Sequence, residues 1–182
     1  MTIESGDKVL FMKIGIHANE PLESIIERKQ KEIQDEGFAF WGYGGNTCHP
    51  TRMVQPFALD ATGPIVLAME PMVSNHFADP IRAEQYSADG ITWQEVPAGI
   101  NCRGSRHALL IDSLEPASFD LDLSRTRVAI GPSMGKAGVD YVKARVDKAC
   151  LEIVDTPQGD SALRHIGFQA TLADPYAVFL RY

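Results

Sequence analysis

The run Ile65–Glu70 (IVLAME) places the tightest limit on what this chain can fold into. It is almost continuously apolar, follows the turn pair Gly63-Pro64, and is too short for a stable helix. Such a run reads as a strand buried on both faces, so the sheet that contains it needs material packed on either side.

Other segments read the same way. Val9 to Ala18 (VLFMKIGIHA) is rich in apolar and β-branched residues and ends at a polar corner. Phe38 to Tyr43, His107 to Leu114 and Arg127 to Gly131 are further strands, and Pro116 to Ser124 reads as a loop or edge. Asp89-Gly90 predicts a hairpin between Arg82 and Val96. Arg164 to Ala170 and Tyr176 to Tyr182 read as a second hairpin about Ala-Asp-Pro.

Three helices are expected between these strands. Leu22, Ile25, Ile26 and Ile33 recur at helical spacing on one face, with the Lys29 stem among them. Asn19 is a candidate N-cap there, Glu27 and Lys31 form an i, i+4 pair, and Gly37 is the stop. Pro50 suits the first turn of a short helix that Pro56 limits. A longer one is predicted from Gly135 to Val154, where Val139, Val142, Val146, Cys150 and Ile153 recur every three or four residues. The fold class is therefore α+β: residues 1–182 as a single globular domain, with a mixed, largely antiparallel sheet, open or curled into a partial barrel, and two main helices packed on it.

Composition agrees with one core of ordinary size: 182 residues, 45% hydrophobic and 23% charged. Lys+Arg number 17 against 24 Asp+Glu, a formal charge of -7. That balance disfavours broad nucleic-acid binding. Cys48, Cys102 and Cys150 are odd in number and widely spaced, which suggests neither a disulfide framework nor a zinc knuckle. The acidic, polar N-terminus and the absence of an apolar run of about 20 residues predict a cytoplasmic protein with no membrane span.

Function-bearing residues concentrate in Phe38 to Pro50 (FAFWGYGGNTCHP). Trp41 and Tyr43 share a parity on their strand and face one way, which suits stacking on a ring. Gly44 and Gly45 allow a sharp turn or close approach to a ligand, and Asn46, Thr47 and His49 offer hydrogen bonds. Cys48 at a helix start is a candidate nucleophile, with His17, His76 or His107 a better candidate base than the adjacent His49. A second cluster, Ala129 to Gly138 (AIGPSMGKAG), places Ser133, Gly135 and Lys136 at the start of the predicted long helix, where backbone N–H groups and a lysine favour an anion. It lacks the spacing of a P-loop, and the histidines lack local metal-ligand spacing.

Three functions are compatible with these residues. The first is a protein that binds a small anionic ligand, phosphate-bearing or nucleotide-like, between the Trp41–His49 loop and the Gly131–Lys136 helix start. The second is a hydrolase or transferase using Cys48 with a histidine base. The third is a non-catalytic interaction module or homodimer that pairs through Phe77, Ile81 and Tyr86. No cofactor is indicated.

Overall fold

Strand β1 (Lys8–His17) sends alternate side chains to opposite sides, as period-two geometry requires. Leu10, Met12 and Ile14 enter one buried cluster, Val9 and Phe11 another. The protein is described by a computed structural model covering residues 3–44, 50–76, 78–143 and 146–182. In it β3 (Val66–His76) behaves as IVLAME predicts, with Leu67 and Met69 on one side and Ala68 on the other. The two strands run parallel, Val9 opposite Val66 through Ile14 opposite Pro71, before a bulge shifts the register.

Between them the chain forms α1 (Leu22–Glu36), β2 (Ala39–Tyr43) and α2 (Thr51–Leu59). Ile25 and Ile26 of α1 and Val54 and Phe57 of α2 pack into the cluster that holds Leu10 and Met12. Gly37 ends α1 in the left-handed region (φ 84), its N–H on the Ile33 carbonyl. Asn19 is not the cap: Ala18 and Asn19 form a turn at φ 49 and 63, and α1 starts after Pro21. Lys31 pairs with Asp35 instead of Glu27.

The remaining strands are β4 (Gln85–Ser87), β5 (Gln94–Glu95), β6 (His107–Asp122), β7 (Thr126–Val128), β8 (Lys148–Ile153) and β9 (Leu163–Arg181), with a one-turn helix α3 (Gly138–Tyr141) before β8. The main path runs β2-β6-β9-β3-β1-β8-β7, and β4 pairs with β9 and β5. Apart from β1–β3, the paired strands are antiparallel. This is the expected α+β architecture, with a mixed and mostly antiparallel sheet that stays open. It curls nonetheless: β2 and β8 lie near opposite ends of the path, yet Lys148 Nζ is 5.1 Å from the centre of the Tyr43 ring.

Three local expectations are corrected. The helix predicted from Gly135 to Val154 is replaced by α3 and β8. Gly138 has no room for a β-carbon, which would stand 1.8 Å from Thr126 Oγ1, and β8 points Cys150 to one side and Ala149 and Leu151 to the other. A strand buried on both faces carries the same apolar residues as a helix, and here scattered valines imitated helical spacing. The predicted C-terminal hairpin is instead a single long strand, β9, that pairs with β6 at both ends. The Ala-Asp-Pro segment is an outward bulge, where Leu109 pairs with Ala177 but Ile111 with Leu172. Pro116 to Ser124, read as a loop or edge, mostly continues β6.

A candidate ligand-binding cavity

The turn that ends β1 builds one side of the site. His17 N–H donates to the Glu20 carbonyl (3.2 Å) and Glu20 N–H to the His17 carbonyl (2.9 Å), so the two side chains start from adjacent backbone. Non-glycine residues at positive φ are unfavourable by roughly 1 kcal/mol each, so Ala18 and Asn19 hold a strained turn where the chain must reverse sharply into α1.

From α1 a buried charge network reaches across to the segment Asn101–Ser105. Arg28 grips Glu20 with two hydrogen bonds, Nε to Oε1 (2.9 Å) and Nη2 to Oε2 (2.6 Å), and donates from Nη1 to Glu32 Oε1 (2.9 Å). Lys29 Nζ donates to Glu32 Oε2 (2.7 Å) and to the Asn101 carbonyl (2.8 Å), while Asn101 N–H donates to Glu32 Oε1 (3.0 Å). Two acids and two bases close the network. The hydrogen bond from Arg28 keeps the Glu20 carboxyl below its ordinary range, and burial pulls the Lys29 ammonium down against the attraction of Glu32.

The same segment is tied down at its other end. His17 Nε2 lies 2.9 Å from the Arg103 carbonyl, which can only accept, so this nitrogen carries the proton. Tyr182 Oη accepts from Ser105 N–H (2.7 Å) and donates to the Ser105 carbonyl (2.7 Å). Gly42 of β2 lets Cys102 and Ser105 approach the strand closely. Burial pushes the Cys102 and Cys150 thiols up, so neither is a ready thiolate.

Between β1, β2, α1 and this segment lies a cavity of about 230 Å³. Met12, Ile14, Ile25, Trp41 and Met72 give it an apolar wall. Charged residues border it as well: Glu20, Arg28 and Lys29 belong to the network above, Arg103, Asp147 and Lys148 lie outside it, and Lys13 borders it while its ammonium reaches the Lys143 carbonyl on the other side of β1. Lys148 is 8% exposed, with its ammonium over the Tyr43 ring. Arg103 uses Nε on Asn101 Oδ1 (3.0 Å), and among the described residues its two Nη groups make no hydrogen bond, although its charge helps to hold the Glu20 carboxyl down.

Of the residues singled out in the sequence, His17, Trp41, Tyr43 and Gly44 meet at this cavity. Trp41 and Tyr43 do share a side, but both are buried, lining the cavity as part of the core. Gly45, Asn46, Thr47, Cys48 and His49 lie outside the described residues, as does Phe77. Ser133, Gly135 and Lys136 do not line the cavity, and the helix start assigned to them does not exist. Their segment is a turn folded back on β7, with Gly135 N–H on the Val128 carbonyl and Lys136 N–H on the Ser133 carbonyl. Ile81 is exposed, and Tyr86 packs edge-on against Phe40 with ring centres 4.9 Å apart.

By sequence, Arg28 and Glu32 read as part of a charge-balanced surface of α1 and Lys148 as facing away from the core on the predicted long helix; the structure instead buries Glu32 and Lys148, and Asn101 and Arg103 carry no sequence signal. For Lys29 a signal was present, since it falls among the apolar positions of α1. The NCRGS segment that supplies Asn101 and Arg103 has no periodicity to mark it.

The fold is that of an α+β protein with a partly open cavity between its long helix and curled sheet. Comparison with protein-family models, curated proteins and solved structures returned no match. Among the described residues, no group of three or more His, Cys, Asp or Glu side chains is placed to hold a metal ion.

Proposed function

We propose that this protein binds a small anionic molecule in the cavity between α1, β1 and β2. The observation that carries the reading is Arg103, a residue of the cavity lining whose guanidinium makes its hydrogen bond through Nε alone and shares the field of Glu20. Lys148, whose ammonium lies over Tyr43, adds positive charge to the same side of the sheet, whereas Lys13 points to the other side of β1 and reaches the Lys143 carbonyl. Of the opposing acids, Glu20 is gripped by Arg28 and also lies in the field of Arg103, and Asp147 is the other. The local balance therefore favours an anion despite a chain charge of -7. His17 acts here as a positioning group, through its hydrogen bond to the carbonyl of the residue that would grip the ligand.

A thermal-shift screen of small carboxylates, phosphates and sulfonates tests the reading. A ligand at 100 times its dissociation constant stabilises the folded chain by about 2.7 kcal/mol. The shift is expected to disappear in Arg103→Ala and to persist in Lys136→Ala, because Lys136 does not border the cavity. Absence of any shift across the panel would refute it.

A further inference from the structure

We propose that the anion is the carboxylate of an otherwise apolar, ring-sized molecule and not a phosphate; this deepens the anion-binding reading above and rests on it. The uncommitted part of Arg103 is its pair of Nη groups, and a planar guanidinium edge matches the two oxygens of a carboxylate. A phosphate has further oxygens that need donors, and among the described residues two of the cavity's cations, Arg28 and Lys29, already donate to Glu20, Glu32 and Asn101. The start of α1, which borders the cavity through Glu20, has Pro21 as cap and the Glu20–Arg28 ion pair beside it. The glycine turn at Gly131–Lys136 does not border the cavity and uses its N–H groups internally, Met134 on Gly131, Gly135 on Val128 and Lys136 on Ser133.

The rest of the wall points the same way. Met12, Ile14, Ile25, Trp41 and Met72 offer hydrocarbon and an indole face, which favour an apolar body and would leave phosphate or ribose oxygens unsatisfied. The volume of about 230 Å³ lies below the roughly 300–1,000 Å³ of sites for drug-sized ligands, which favours a small acid over a nucleotide. Lys148, buried over Tyr43, adds a long-range attraction that survives salt better than a surface lysine would.

Calorimetric titration of the full chain separates the possibilities, with phenylacetate, its neutral isostere phenylacetamide, inorganic phosphate and adenosine monophosphate as probes. Phenylacetate is expected to bind, phenylacetamide to bind more weakly by about tenfold or more, and the two phosphates not to bind. Arg103→Lys, which keeps the charge but loses the fork, is expected to weaken phenylacetate by about tenfold. The amide comparison uses the unmodified chain, so it decides even if the variant misfolds. Arg103-dependent binding of either phosphate without phenylacetate would overturn the carboxylate assignment and leave the anion site standing. Equal binding of acid and amide would overturn it too, and silence from every anion would remove both readings.

Discussion

Gly42 and Ser105 are packed so closely that a β-carbon on Gly42 would stand 2.5 Å from the Ser105 hydroxyl oxygen, and 2.8 Å from Cys102 Sγ. Strand β2 and the segment that carries Arg103 therefore fit only because one side chain is missing. Gly42→Ala is expected to cost about 1–3 kcal/mol, the usual range for overpacking a filled interior. Urea unfolding measures it. Because the displaced segment bears Arg103, ligand affinity should fall with stability, whereas an unchanged midpoint would show that the contact relaxes freely.

The Lys29–Glu32 pair predicts a stronger effect from a smaller change. Both side chains are buried, and Glu32 also receives Arg28. Removing the carboxylate in Glu32→Leu strands a buried ammonium and is expected to cost about 3–5 kcal/mol. The double variant Lys29→Met/Glu32→Leu should recover part of that loss, since Arg28 keeps Glu20. A double-mutant cycle in chemical denaturation reads the coupling.

His107 supplies a dependence on pH. Its ring stacks on Tyr43 with centres 5.3 Å apart, and a 2.9 Å hydrogen bond joins Nδ1 to the Thr51 hydroxyl. Burial, with Arg106 and Lys148 nearby, depresses its pKa below the ordinary histidine value. The unfolded chain then binds the proton more readily, so this contribution is complete above about pH 6.5 and is lost as pH falls toward the folded value. Unfolding midpoints between pH 7.5 and 5 should show that decline, flattened in His107→Gln. An identical decline in the variant would assign it to other groups.

Asp122 acts at lower pH. Its Oδ1 accepts from Ala162 N–H (3.0 Å) and Ser124 N–H (3.0 Å), and Oδ2 from the Ser161 hydroxyl (2.9 Å). These hydrogen bonds, that of Ala162 foremost, hold its pKa down to about 2. The stabilisation is therefore intact above the unfolded value of about 3.9 and is lost as pH falls toward 2. Asp122→Ala should lower stability by about 1 kcal/mol at neutral pH and by much less near pH 2.5, as thermal melts at the two values would reveal.

How far the fold could be read from the sequence depended on how far local pattern and packing agreed. Strand β1, the two-faced strand β3, the α1 stop at Gly37 and the Asp89-Gly90 hairpin were all legible, because each is written in neighbouring residues. β8 was not. Its residues serve two different clusters, and Val139, Val142 and Val146 ahead of it fall at helical spacing by coincidence. Pro175 read as the tip of a hairpin because nothing local says that β6 runs on beside both halves of β9. At the site, Trp41, Tyr43 and His17 were visible from parity and position. Arg103 and the Arg28–Lys29–Glu32 network were not, since their meaning comes from contacts between α1 and a segment some 70 residues away in sequence, Arg28 to Asn101 being one.

The seat of β1 between β3 and β8 has a consequence for synthesis. Val9 pairs with Leu151. At ribosomal speeds of about 5–20 residues per second, β1 is made roughly 7–28 s before that partner exists. Pairing across such sequence distance is slow even once the chain is complete. Through that interval one edge of a strongly apolar strand stays open, and with it one wall of the cavity. A nascent chain of this protein is thus expected to lean on chaperones early and to complete the cavity wall only after β8 has been made.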